Sequence, residues 1–222
     1  MFREASFVCG RYAGAVPPTR IVSLVPSLTE LIAYLGAGDS LVGRTRYCTE
    51  PASIAQRVPA AGGTKDPDIA AIAALNPDLV IANKEENRRE DIEALRAAGL
   101  NVLLTDPNSV PGAVAMIRQI GAAIDARRAA EGLASEIERE LAEAPPARAV
   151  RIFAAVWWEP LMGMGSASYG HDLIERAGAE IFSIRRAHAP VHTTPEIRPA
   201  SSAASRLRNP LSSCWLPTVP GS

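Results

Sequence analysis

Between Arg20 and Asp106, four short apolar runs alternate with stretches of helical period: Ile21 to Val25, Leu41 to Val42, Leu79 to Ala82 and Val102 to Thr105. Each run is too short for a helix and is bounded by Gly, Pro, Asn or Asp, so each reads as a strand. Strands separated by helices pair through crossovers rather than tight hairpins, and crossovers make parallel neighbours. The expected class is therefore α/β with a largely parallel sheet.

The first strand runs into Val25, Pro26 and Ser27, and Ser27 or Thr29 is expected to cap a helix carrying Leu28, Leu31, Ile32 and Leu35 before Gly36 ends it. A helix N-terminus just beyond the carboxyl end of a strand turns free backbone N–H groups toward the crevice where open α/β sheets bind ligands. Ser27 is thus a ligand candidate as well as a cap. A second unit starts at Asp66 or Asp68, whose carboxylate caps a helix from Pro67 to Leu75. The segment from Lys84 to Asp91 then reads as the solvated opening of a helix that buries Ile92 and Leu95. From Val110 to Glu143 the pattern is helical, with Gly121 and Asp125 expected to divide it in two. Its second half, about 27 Å long at 1.5 Å per residue, is long enough to link two lobes.

Charge and composition exclude several roles. A formal net charge of −1 over 222 residues holds no field for a polyanion, and no Lys/Arg run carries interleaved aromatics. Nucleic acid is therefore excluded as a partner. Cys9, Cys48 and Cys214 are odd in number and widely spaced, so neither a disulfide framework nor a zinc site is readable. Glu4 and Arg11 interrupt the N-terminal apolar run, so no signal sequence is visible, and no stretch approaches the roughly 18 apolar residues of a membrane span. Localisation stays open.

A strand from Val150 to Val156 and a helix from His171 to Ala177 open a second α/β lobe, but after Phe182 the alternation ends. From Ser201 the sequence is rich in Ser and Pro, with Ala and Arg, and there is no acidic residue after Glu196. This tail reads either as a truncated or frame-shifted product or as a naturally disordered segment. The organisation expected is an N-terminal α/β ligand-binding lobe over 20–124, a linking helix over 125–145, the start of a second lobe over 150–182 and an aberrant tail over 183–222.

Three stretches, RIVSLVPSLTELIAYLGAGDSLVGRTRYCTEP, GGTKDPDIAAIAALNPDLVIANKEENRREDIEALRAAGLNV and WWEPLMGMGSASYGHDLIERAGAEIF, cover much of the chain. In this order they resemble the helical-backbone substrate-binding proteins of ABC importers for cobalamin and ferric siderophores, the cobalamin-binding branch most closely. The resemblance implies two Rossmann-like lobes joined by a rigid helix, with the second lobe incomplete here, and a ligand held in the cleft. It implies ligand contacts from Ser27, Tyr47, Gly62, Gly63 and Lys65 on the first lobe and from Trp157, Trp158 and Tyr169 on the second. A corrinoid is a broad flat ring with amide edges, which aromatic faces, hydrogen-bond donors and glycines would suit. The family docks to its membrane permease through an acidic residue on each lobe. Where the first-lobe helix usually carries Leu-Glu this chain has Ile69 and Ala70, so Asp66, Asp68 and Glu196 are the docking candidates.

Nothing reads as an enzyme. The Gly62 to Asp66 run lacks phosphate-loop spacing, there is no G-x-S-x-G elbow, and His171, His188 and His192 form no metal-binding pattern. The expected protein is a monomeric, noncatalytic receptor with no intrinsic cofactor or metal, taking cobalamin, a ferric siderophore or a related metal chelate for an ABC-transporter permease. Two alternatives stay open: a cytoplasmic chelate- or partner-binding protein independent of an importer, and a product without ligand activity.

Overall fold

The computed structural model describes residues 17–143, 150–157 and 162–181. The four apolar runs form β1 (Ile21–Ser23), β2 (Leu41–Arg44), β3 (Leu79–Asn83) and β4 (Val102–Thr105), all parallel, in the spatial order β2-β1-β3-β4. Helices α1 (Pro26–Tyr34), α2 (Ala52–Arg57), α3 (Ile69–Ala74) and α4 (Arg89–Ala97) lie in the crossovers. The chain moves outward from β1 to β2 and then returns past β1 to β3, which makes the β1/β3 boundary a topological switch point.

Period-two alternation sorts the strand side chains between two cores. Ile21, Leu79, Ile81 and Leu103 face one side, where they meet Leu28 and Ile32 of α1, Ile54 of α2, and Ile117 and Ile120 of α5 (Val110–Ala123). Val22, Val80 and Ala82 face the other, where they meet Ile72 of α3 and Ile92 and Leu95 of α4. Strands covered on both faces are apolar throughout, which is why β3 is a continuous run rather than an alternating one. Each Val, Leu or Ile side chain fully buried there contributes about 1.5–3 kcal/mol.

Several local expectations change. Neither Ser27 nor Thr29 caps α1: Val25 occupies the N-cap and Pro26 the first helical position, with no side-chain cap. Thr29 is fully buried instead, its hydroxyl donating to the Val25 carbonyl (3.0 Å) and lying 2.8 Å from the Ser23 hydroxyl. Gly36 does end α1, at φ +84°. Helix α3 is shorter than expected because Pro67 pairs with Gly62 in an isolated antiparallel bridge, leaving Asp68 to cap it by accepting from Ala71 N–H. Asp66 caps nothing and pairs with Arg46. The 84–87 segment is a turn on Asn83, whose side-chain oxygen accepts from the N–H groups of Glu85 and Glu86, and α4 starts only at Arg89.

The long helical segment breaks at Asp125, where φ is +59°, into α5 and α6 (Arg127–Glu143). Gly121 does not break it. A Cβ there would lie 2.2 Å from that of Ala130, so the glycine is what lets α6 close on α5. Ala130 and Ala134 are buried in that seam, and Arg118 clips it from outside by bonding both Glu131 and Glu138. Both glutamates are held below their ordinary pKa by that guanidinium. Helix α6 is thus docked along α5 of the first lobe.

The second region comprises β5 (Val150–Ile152), β6 (Ala155–Trp157), β7 (Met162–Gly163), α7 (Tyr169–Arg176) and β8 (Ala179–Ile181). The single strand expected from Val150 to Val156 is interrupted at Phe153 and Ala154: β5 pairs in parallel with β8, while β6 pairs antiparallel with β7. Ser168 caps α7 by accepting from His171 N–H. Asp172 accepts from Val110 N–H at 2.7 Å and from Arg176 Nε at 2.8 Å, so the second region caps the start of α5. These two donors hold the Asp172 carboxyl below its ordinary pKa, Arg176 contributing most. His171 is buried near the start of α7, with its Nε2 3.1 Å from a Glu175 carboxylate oxygen in the same helix. The expected tail over 183–222 lies outside the described residues.

Candidate binding site

The carboxyl ends of β2, β1 and β3 open onto a concavity of about 470 Å³ lined by Val25, Pro26, Ser27, Tyr47, Thr64 and Glu86. It sits at the switch point, where loops diverge to opposite faces of the sheet and leave a crevice. Val25, Pro26 and Ser27 bring the uncapped start of α1, which has no acidic residue in its first turn, to the wall. Tyr47 arrives on the loop after β2 and is 53% exposed.

Polar bonds, most of them buried or half-buried, fix the loops that carry these side chains. Arg44 at the end of β2 donates to the carbonyls of Thr45, Ala55 and Val58, pinning the Tyr47 loop to α2. Cys48 is buried with its sulfur 3.1 Å from Thr45 Oγ1. Asn87 is buried at the centre: its amide donates to the carbonyls of Thr64 (2.9 Å) and Leu24 (3.4 Å), and its oxygen accepts from Asn83 N–H (2.9 Å). One side chain thereby ties together the loops after β1 and β3 and the glycine-containing loop. Lys65 Nζ adds a bond to the Glu85 carbonyl at 2.5 Å.

The two glycines shape the loop from behind. Gly62 has φ +86°, and a Cβ on it would stand 2.5 Å from backbone atoms of Asp66 and Asp68, so only glycine closes this turn. Gly63 leaves room for the ion pair between Arg46 and Asp66, at 2.8 Å. The Arg46 guanidinium also lies over the Tyr47 ring, 4.9 Å from its centroid, and the hydrogen bond to Asp66 raises its pKa further.

Of the residues expected at the site, Ser27 and Tyr47 line the concavity, while Gly62, Gly63 and Lys65 hold the adjoining loop. Trp157 and Tyr169 lie in the second region, on β6 and at the start of α7, and both are exposed. Trp158 and Glu196 lie outside the described residues. Sequence reasoning missed Arg46, Glu86 and Asn87. The signal available was position: Arg46 follows the carboxyl end of β2, and Glu86 and Asn87 follow that of β3. Among the described residues no group of three or more His, Cys, Asp or Glu side chains converges to hold a metal ion.

Residues 21–193 match the family described as periplasmic binding protein. A vitamin B12-binding protein of Pectobacterium carotovorum is 25% identical over 173 residues, covering 75% of this chain and 62% of the relative. The vitamin B12-binding protein of Salmonella choleraesuis is 28% identical over 165 residues, covering 72% and 61%. The chain therefore spans about three fifths of the length of these relatives. Among solved structures, the periplasmic vitamin B12 binding protein of Vibrio cholerae superposes with a TM-score of 0.67 at 20% identity, covering 82% of this chain and 71% of that one. A periplasmic heme binding protein of Pseudomonas aeruginosa superposes with a TM-score of 0.63 at 21% identity, covering 74% and 62%. At these identities the structural likeness establishes the shared α/β fold.

Proposed function

The chain belongs to the periplasmic binding protein family, and we propose that it is a noncatalytic receptor for a corrinoid, taking cobalamin as its ligand for ABC-type import. The observation that carries this reading is the lining of the concavity: the Tyr47 ring and Pro26 give flat apolar contact, Ser27 and Thr64 give hydroxyls, and Glu86 is its one ionisable carboxylate. A neutral ring with amide edges finds stacking surface and hydrogen-bond partners there. A haem would bring its propionates toward Glu86, a like-charge encounter that disfavours binding. The relatives named for vitamin B12 binding support the corrinoid, and those named for heme binding identify the competitor to test.

An open concavity on one lobe covers one side of a flat ring. Trp157, Trp158 and Tyr169 are the proposed contacts for the other side. A membrane permease is the proposed protein partner. Asp68 is committed to capping α3 and Asp66 to Arg46, so any first-lobe docking carboxylate acts from within those bonds.

Titration with cyanocobalamin, followed by tryptophan fluorescence with hemin and a ferric siderophore as competitors, tests the reading. Saturation at micromolar concentration or below, weakened about tenfold or more by Tyr47→Ala, is expected on the scale of a buried aromatic anchor. Preferential binding of hemin, or no binding by the folded protein, would overturn it.

A further inference from the structure

Arg46 sets a cation against the wall of the concavity, with its Nη2 3.4 Å from the Tyr47 hydroxyl and its guanidinium stacked on the ring. Left alone, a guanidinium there would attract carboxylate-bearing ligands, since arginine pairs readily with such groups. It is not left alone. The same Nη2 lies 2.9 Å and 2.8 Å from the two carboxylate oxygens of Asp66.

The backbone is arranged to permit this pairing. Arg46 N–H donates to the Gly62 carbonyl, and Gly63 N–H donates to the Asp66 carbonyl, bringing the two loops together. A Cβ on Gly63 would lie 2.3 Å from Asp66 Oδ1 and 2.8 Å from Arg46 Nη2, so a side chain there would force the pair apart. The charges of Arg46 and Asp66 cancel beside Tyr47, and Glu86 is the carboxylate among the residues lining the concavity.

We propose that Asp66 is a specificity-determining residue: by neutralising Arg46 beside Tyr47, it biases the site against anionic tetrapyrroles and toward neutral, amide-edged ones. This rests on the reading of the concavity as the ring-binding site. Asp66 acts through Arg46 rather than by touching the ligand.

The test compares wild type, Asp66→Asn and the double variant Asp66→Asn/Arg46→Gln, each titrated with cyanocobalamin and with coproporphyrin III, which carries four carboxylates. The affinity ratio of coproporphyrin to cyanocobalamin should rise about tenfold in Asp66→Asn and fall back in the double variant, and the gain should shrink with added salt as exposed charges are screened. A merely structural role would weaken both ligands together; an unchanged ratio overturns the proposal. A second readout needs no ligand. Phenylglyoxal modification of Arg46, mapped by mass spectrometry against Arg128 as internal reference, should be several-fold faster in Asp66→Asn than in wild type. If wild type binds neither tetrapyrrole, the corrinoid reading fails, and the phenylglyoxal rates still decide whether Asp66 withholds the guanidinium: equal rates overturn it.

Discussion

Strands β3 and β6 are both short and apolar, yet Leu79 to Ala82 are fully buried while Val156 and Trp157 are 54% and 63% exposed. The difference lies in what surrounds them. Strand β3 has a parallel neighbour on each side and helices over both faces, with α1 and α5 on one and α3 and α4 on the other. Strand β6 has one antiparallel partner, the two-residue β7, and among the described residues no buried cluster covers it. Burial of a strand is therefore a property of the layers around it, and the first lobe carries a complete set. The second region is attached through α7, whose Asp172 holds the N-terminus of α5.

The sharpest way to break this contrast is to remove one apolar side chain from each strand. Leu79→Ala should lower unfolding stability by about 2–5 kcal/mol, because a cavity opens in a closed core. Val156→Ala, at an exposed position, should stay within about 0.5 kcal/mol. Urea denaturation of both variants measures this, and equal losses would mean that the two regions share one core.

The glycine turn should give the next largest effect. Gly62→Ala puts a methyl group 2.5 Å from two backbone atoms at a positive φ, so a loss of about 1–3 kcal/mol is expected together with weakened cyanocobalamin binding. Full retention of both would show that the loop relaxes freely.

Asp172→Ala addresses the attachment itself. Amide exchange across 150–157 and 162–181 should accelerate several-fold while β3 keeps its protection. Uniform acceleration would show the second region to be integral to the first-lobe core.

The smallest expected effect depends on pH. Arg118 depresses the folded-state pKa of Glu131 and Glu138, so their contribution is fully present above the ordinary glutamate value of 4.5 and is lost as pH falls through the lowered values. Exchange in α6 should rise in that acid range in wild type. Arg118→Ala should show faster exchange already at neutral pH and a flatter acid response; an identical acid profile would remove the clip from the account.

The four strands and their parallel pairing were legible because short apolar runs alternate with helical stretches, and the strand boundaries follow from their Gly, Pro, Asn and Asp flanks. The break at Asp125 was legible only alongside Gly121, and the cap at Asp68 only as one of two candidates with Asp66. Strand order was not, since β2-β1-β3-β4 depends on which side each crossover takes. Nor was the docking of α6, which turns on Gly121 giving Ala130 room, and a glycine within a helical run reads equally well as a break. Ser27 was expected at the site from its place after the first strand as well as from the resemblance, and Tyr47 from the resemblance alone. Arg46, Glu86 and Asn87 escaped because charged and amide residues in loops look like solvated surface until the fold converges them. The interruption at Phe153 had no signal in a run that is apolar from Ile152 to Trp158.

Hydrogen exchange measured with and without saturating cyanocobalamin tests most directly whether the first-lobe concavity is the ligand site. Protection concentrated in residues 45–51, 62–66 and 84–87 is the predicted result. Binding that leaves those loops unchanged and protects only residues 162–181 would contradict it.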